Sequence, residues 1–185
     1  MPRWEPDAVG RLQQAALALF AERGYADVTV ADIADRAGLT KRTFFNHFAD
    51  KREVLFAGSK DFDASMIGHL TAAEPSLDPI EAAVLALTRS GLELATYSQY
   101  AAARRDLIAS STELQERNLI KTAALAASIA GCLRARQVPG RTAALAAQAA
   151  VSVFMTAFDD WVDNPSADLN TLMQQTLADL RQAVS

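Results

Sequence analysis

Residues Thr29–Phe48 read TVADIADRAGLTKRTFFNHF, and the spacing of their apolar side chains decides the fold. Val30, Ile33, Ala34 and Ala37 fall at i, i+3, i+4 and i+7, which predicts the buried stripe of a short helix. Gly38 follows the stripe as a helix-ending glycine does, because it takes positive φ without a Cβ clash. Thr40 can cap a second helix by offering its hydroxyl to free backbone N–H groups. In that helix Phe44, Phe45 and Phe48 are expected on one side and Arg42, Thr43 and Asn46 on the other. Lys41 opens it and His47 lies on its flank. A short helix held by aromatics, with cations and short hydrogen-bonding side chains outward, has the make-up of a helix-turn-helix recognition helix. The pattern predicts duplex DNA as the partner. An αα-hairpin with a merely solvated outer face shares this periodicity, so the flanks carry weight.

Before the motif, Asp7 to Gly24 forms a helical pattern with Leu12, Ala16, Leu19 and Phe20 on one face and Arg23-Gly24 at its end. After it, Asp50-Lys51-Arg52-Glu53 is a capping-box pattern, expected to open a fourth helix that runs to about His69. The stretches LFAERGYADVTV, ADIADRAGLTKRTFFNHF and DKREVLF together resemble the N-terminal domain of the TetR family of transcriptional regulators, over residues 8 to 58. The resemblance implies that Thr29, opening the second helix, touches phosphate. It implies that Lys41, Arg42, Thr43, Asn46 and His47, with Thr40 at the helix start, read base edges and phosphates. Lys51 would grip the DNA backbone from the start of the fourth helix. One position departs from the family, which usually has tyrosine where this chain has Phe45. Without a hydroxyl, Phe45 is left with apolar contact to a thymine methyl or sugar, or with packing.

Half of the 185 residues are hydrophobic and 22% are charged, a globular composition rather than a disordered one. Six prolines and eight glycines among many alanines favour helices throughout. The net charge of −4 hides an asymmetry. Residues 1–60 carry nine Lys/Arg against eight Asp/Glu, a balance of +1; residues 61–185 carry nine against fourteen, a balance of −5. A local cationic surface suffices for phosphate contact, and an acidic remainder weakens non-specific binding. No uninterrupted apolar run approaches the roughly 18 residues that span a bilayer. The first residues, MPRWEPD, lack the apolar core of a secretory signal, so a cytoplasmic protein with no membrane association is expected.

Further along, helix starts are read at Asp78-Pro79-Ile80-Glu81 and at Thr112-Glu113-Leu114-Gln115, the latter opening a long helix to about Gln137. A short helix is expected from Gln99 to Ala109, and two more over Arg141–Asp163 and Ala167–Ala183. The expectation is an all-α chain of about nine helices. Residues 1–50 would form a helix-turn-helix head (motif about 29–48), and residues 51–185 a helical ligand-binding and dimerisation domain. The segment RRDLIASSTELQERN, residues 104–118, with the long helix after it, resembles the mycofactocin-type subgroup of the family. That resemblance implies an acyl-CoA-like effector, bound among the middle helices and releasing a repressor from an inverted-repeat operator.

Periodicity selects Phe62, Met66, Leu87, Gly91, Leu94, Tyr97, Tyr100, Leu125 and Ile129 as candidate ligand contacts, with Arg104 or Arg105 as anion anchors. Tyr97 and Tyr100 are favoured because each joins an apolar ring to a hydrogen-bonding tip. The small residues of Thr142–Ala150, including Ala147, are followed by Val151, Phe154, Phe158 and Trp161 at helical spacing. Leu169, Leu172, Met173, Leu177 and Leu180 form a matching stripe on the last helix. Two such helices from each of two chains would make a four-helix homodimer bundle.

Catalytic and metal readings have little to stand on. His47 and His69 are the only histidines, and Cys132, the only cysteine, lies among apolar residues and reads as a small core side chain. Asp159, Asp160 and Asp163 cluster without a histidine and read as a solvated helix end. No glycine-rich phosphate loop is present. No cofactor, metal or catalytic residue is expected. A helical protein-binding adaptor would differ from this reading by lacking DNA affinity at low salt, and a helical enzyme by showing turnover.

Overall fold

The computed structural model describes residues 7–93 and 100–185, all of its regular structure helical. They form two compact units, one of residues up to Ser59 with Ala103–Asn118, the other of Lys60–Ala102 with Leu119–Ser185.

The first unit begins with α1 (Ala8–Arg23), capped by the Asp7 carboxylate on the Gly10 N–H and closed by Gly24 at φ +80°. Leu12, Ala16, Leu19 and Phe20 are buried along one side, as their spacing requires. Helices α2 (Val30–Arg36) and α3 (Lys41–His47) pack on it, joined by a turn in which Gly38 takes φ +66°. Phe44 and Phe48 are buried beneath α3. The fourth helix expected over Asp50 to His69 is instead two elements. Asp50 accepts from the Arg52 and Glu53 N–H groups and starts a 3-10 turn over Arg52–Phe56. The Glu53 carboxylate pairs with Arg117. Gly58, at φ +83°, then breaks the chain before α4 (Ser59–Thr71). Most of α6 (Ala101–Ala109) and the first two turns of α7 (Thr112–Ala135) complete the unit. The Gln115 side-chain amide donates to the Ala109 carbonyl instead of closing the box predicted at Thr112.

The second unit packs α5 (Pro79–Glu93), α8 (Gly140–Asp163) and α9 (Leu169–Ala183) against one another, with α4 and the rest of α7 alongside. Gly91 allows α8 and α9 to approach α5 closely. A Cβ there would sit 3.2 Å from both Leu169 Cδ2 and Phe154 Cε2. Phe62, Phe154, Phe158 and Trp161 form a chain of rings with centroids 5.4, 5.7 and 5.6 Å apart. Arg136, at the end of α7, donates to the Leu70, Ala73 and Glu74 carbonyls and so caps the end of α4. Asp168 caps α9 through the Thr171 N–H at 2.9 Å.

This core takes up much of the stripe expected at a dimer surface. Ala147, Val151, Phe154, Trp161, Met173 and Leu177 are buried within the subunit. Of the predicted set, Phe158, Leu172 and Leu180 keep partial exposure. Helix α8 is long and apolar enough, by length and composition, to cross a membrane. Its apolar side is instead the centre of this core, facing α5 and α9.

Candidate nucleic-acid interface

Two caps hold the helices of the motif. The Thr29 hydroxyl accepts from the Asp32 N–H at 3.2 Å, and the Asp32 carboxylate accepts from the Thr29 N–H at 2.8 Å. This reciprocal box satisfies two donors that a helix start leaves without partners. The bonds from the Thr29 hydroxyl and N–H hold the Asp32 carboxyl below the usual aspartate range. Folding lowers this pKa, so the contribution is present above the unfolded value and is lost as pH falls through the folded one. Thr29→Ala is therefore expected to cost ~1 kcal/mol at neutral pH. The deficit should shrink in part in acid, where the wild type loses the bond from the Thr29 hydroxyl to the ionised Asp32 carboxylate but keeps the one from the Asp32 N–H to the hydroxyl. Urea melts at neutral pH and below the aspartate range check both; an equal deficit at both would separate the cap from Asp32 ionisation.

Thr40 caps α3, its hydroxyl accepting from the Thr43 N–H at 3.1 Å. The turn between α2 and α3 is tied to α1 by Arg11, whose Nη2 donates to the Ala37 carbonyl at 2.5 Å. Sequence reading missed this clamp. Arg11 falls among the polar residues of α1, and no periodic signal marks a side chain that reaches a carbonyl 26 residues away.

On the outer face, Lys41, Arg42, Asn46 and His47 are exposed, and among the described residues none makes a hydrogen bond or ion pair. Thr43 is half-buried beside them. Three other cations of this unit are paired: Arg36 with Glu22 and Arg52 with Asp50, both at 2.7 Å, and Arg117 with Glu53. At about 100° per residue, Arg42 and Asn46 point opposite the buried Phe44 and Phe48. The helix thus presents unpaired donors outward on an anchored base, an arrangement suited to phosphates and base edges.

Two predicted residues sit differently from expectation. Phe45 does not share the packed side with Phe44 and Phe48; it is 56% exposed, its ring edge-on to Phe44 with centroids 5.6 Å apart. Lys51 precedes the 3-10 turn, as placed, but its ammonium donates to the Tyr25 carbonyl at 2.6 Å and lies 4.1 Å from the Tyr25 ring centre. Burial lowers its pKa. Two N–H donors of an ammonium remain after one such bond.

Around Lys51 lies a polar cluster that the sequence did not reveal. The Tyr25 hydroxyl donates to Glu113 at 3.2 Å, and Arg52 Nε lies 3.4 Å from the same carboxylate oxygen. Burial, then the charge and hydrogen bond of Glu113, raise the Tyr25 pKa. These groups, with Asp50 and Lys51, line an open recess of about 230 Å³.

Among the described residues, most of the predicted ligand contacts are core side chains. Phe62, Met66, Leu87, Gly91, Leu125 and Ile129 are buried in the second unit, where Met66, Leu87 and Ile129 are fully enclosed. Leu94 and Tyr97 lie outside the described residues. Tyr100 is half-buried just ahead of α6. Arg104 belongs to the first unit. Its Nε donates to the Leu55 carbonyl at 2.8 Å, and its guanidinium stacks 5.1 Å from the Phe56 ring centre. Burial lowers its pKa. Arg105 bonds to the adjacent Asp106 at 3.4 Å. Cys132 is half-buried against the second core, and burial raises its pKa.

Residues 12–57 match the family model described as bacterial regulatory proteins, tetR family, and residues 74–185 match that of the MftR C-terminal domain. The chain belongs to the TetR family. Regulators of this family bind DNA, generally as dimers, and respond to small molecules; they are not enzymes. Among curated relatives, the HTH-type transcriptional repressor KstR2 of Mycobacterium tuberculosis is 48% identical over 46 residues, 25% of this chain and 23% of that one. The chain thus matches less than a quarter of that repressor's length. The putative mycofactocin biosynthesis transcriptional regulator MftR of M. tuberculosis is 28% identical over 169 residues, 85% of this chain and 81% of that one. A putative TetR-family regulator from Syntrophomonas wolfei has the same fold, with a TM-score of 0.63 at 17% identity, covering 96% of this chain and 95% of that one.

Proposed function

We propose that this TetR-family protein is a cytoplasmic homodimeric repressor that binds an inverted-repeat operator and is released by a hydrophobic or amphipathic effector of acyl-CoA-like chemistry. The observation that carries DNA binding is the outer face of α3, with Lys41, Arg42, Asn46 and His47 unpaired among the described residues above a fully buried Phe44. Residues 1–50 hold the reading surface, to which Thr29, Thr40, Thr43 and Lys51 add phosphate contacts. The ligand-binding and dimerising region lies within 51–185. Support for the effector class comes from the match of residues 74–185 to the MftR C-terminal domain.

For the dimer we assign the face of α8 that carries Leu145, Gln148, Ser152 and Met155, with the half-exposed Leu172 and Leu180 of α9. Leu145 is 64% exposed, and the stripe of Leu145, Gln148 and Ser152 lies outside the subunit core.

Two recognition helices related by a two-fold axis require a site with the same symmetry and half-site centres about one helical turn apart or more. Duplexes selected from a randomised pool should be palindromic. Lys41, Arg42 and Lys51 from both copies would displace about six counterions, giving a slope of log Kobs against log salt of about −5. Adding an acyl-CoA to the complex should release the duplex. By linkage the duplex must weaken acyl-CoA binding by the same factor. A footprint without dyad symmetry, or a flat salt dependence, refutes the dimeric DNA reading. Tight acyl-CoA binding that leaves duplex affinity unchanged refutes the effector.

A further inference from the structure

We propose that Phe45 reads the 5-methyl group of a thymine in the major groove, so that base preference rests in part on an apolar contact. The inference builds on the DNA-binding reading above.

Phe45 is the one large apolar side chain of α3 that folding leaves outside, at 56% exposure, while Phe44 beneath it is at 0%. The ring does not hang loose. It stands nearly perpendicular to the Phe44 ring, at an interplanar angle of 82°, and is thereby held on a buried foundation. Around the helix it falls between Lys41 and Arg42, at about 40° from the first and 60° from the second. Both neighbours are exposed, without a hydrogen bond or ion pair among the described residues. Cations on either side that engage phosphate and base edges would press the ring against the groove wall. Phe45 has neither donor nor acceptor, so phosphate oxygens and polar base edges offer it nothing. Among unmodified base pairs the apolar group exposed in the major groove is the C5-methyl of thymine. Closing water out between ring and methyl gains from both surfaces.

The test uses the full chain and a duplex selected by it from a randomised pool. Each thymine is replaced singly by deoxyuridine, which removes the methyl and preserves every hydrogen-bonding group. Wild type is expected to lose roughly fourfold in affinity at one thymine per half-site, and on the order of fifteen-fold when both half-sites are changed. Phe45→Ala should bind the thymine duplex more weakly and show no further loss with deoxyuridine; Phe45→Leu should retain some of the sensitivity. Circular dichroism of both variants should match wild type, since the ring is exposed. Wild type binding every deoxyuridine duplex as tightly as the parent overturns the proposal. So does Phe45→Ala that keeps the full deoxyuridine penalty, or that weakens binding while wild type is indifferent to the methyl, which would mean a sugar contact. A pool that yields no enriched duplex removes the DNA-binding reading itself, a failure distinct from the others.

Discussion

Phe154→Glu is expected to unfold the helical core of the second unit rather than to separate a pair of folded subunits. The Phe154 ring lies between Phe62 and Phe158, with centroids 5.4 and 5.7 Å away, and against the backbone of α5 where Gly91 lacks a Cβ. Losing a buried phenylalanine costs about 3–5 kcal/mol. A carboxylate forced into the same space adds several more unless it takes up a proton. The total rivals the roughly 5–15 kcal/mol that holds a domain together. Leu145→Glu is the counterpart. Its side chain is 64% exposed, so the subunit should lose no more than about 0.5 kcal/mol, while the proposed dimer acquires two unpaired carboxylates in its contact. Thermal melts followed by circular dichroism, with light scattering, distinguish the two: melted Phe154→Glu against folded monomeric Leu145→Glu. A Leu145→Glu protein that stays dimeric moves the interface to another face.

Arg42→Ala and Asn46→Ala should each change which duplexes are bound, by about 1–3 kcal/mol per lost base contact, or up to roughly 150-fold in each half-site. Both side chains point away from the packed side of α3, and neither has a competing partner among the described residues. Nothing within the unit must therefore be broken when they meet a base. Lys51→Ala should behave otherwise. Its ammonium already bonds the Tyr25 carbonyl, so the substitution removes a structural tie as well as a phosphate contact, and should weaken all duplexes alike. Binding to a panel of single-position variants of the selected duplex distinguishes the patterns. Arg42→Ala that ranks the panel as wild type does would remove its assigned role.

The first three helices were legible because each has a complete local grammar: a hydroxyl or carboxylate cap, a stripe at helical spacing, and, after α1 and α2, a glycine at positive φ. The exposure of Lys41, Arg42, Asn46 and His47 on α3 followed from the same periodicity. Phe45 was misplaced because three aromatics within five residues looked like one packed face, whereas Phe45 stands about 100° from Phe44 on the helix. In α8 the apolar stripe was legible, and within the subunit α5 and α9 pack against it. Composition says that Ala147, Val151 and Phe154 must be covered, but not whether α5 of the same chain or a second copy covers them. The break at Gly58 was hidden because an acidic cap begins a 3-10 turn and an α-helix alike. The pairing of Tyr25 with Glu113 and of Glu53 with Arg117 could not be read at all. Polar partners 88 and 64 residues apart leave no periodic trace.

Those same separations order events during synthesis. At ~5–20 residues per second, a nascent chain that has delivered Glu53 waits roughly 3–13 seconds for Arg117. Leu55 waits 49 residues for Arg104. Until then the 3-10 turn after α3 lacks its covering segment, and the Glu53 carboxylate lacks its cation. Contacts this distant in sequence also slow folding, because a long loop must close before they form. The three leading helices can collapse early around Phe20, Ile33 and Phe44, yet their polar underside is completed only after more than half of the chain has left the ribosome.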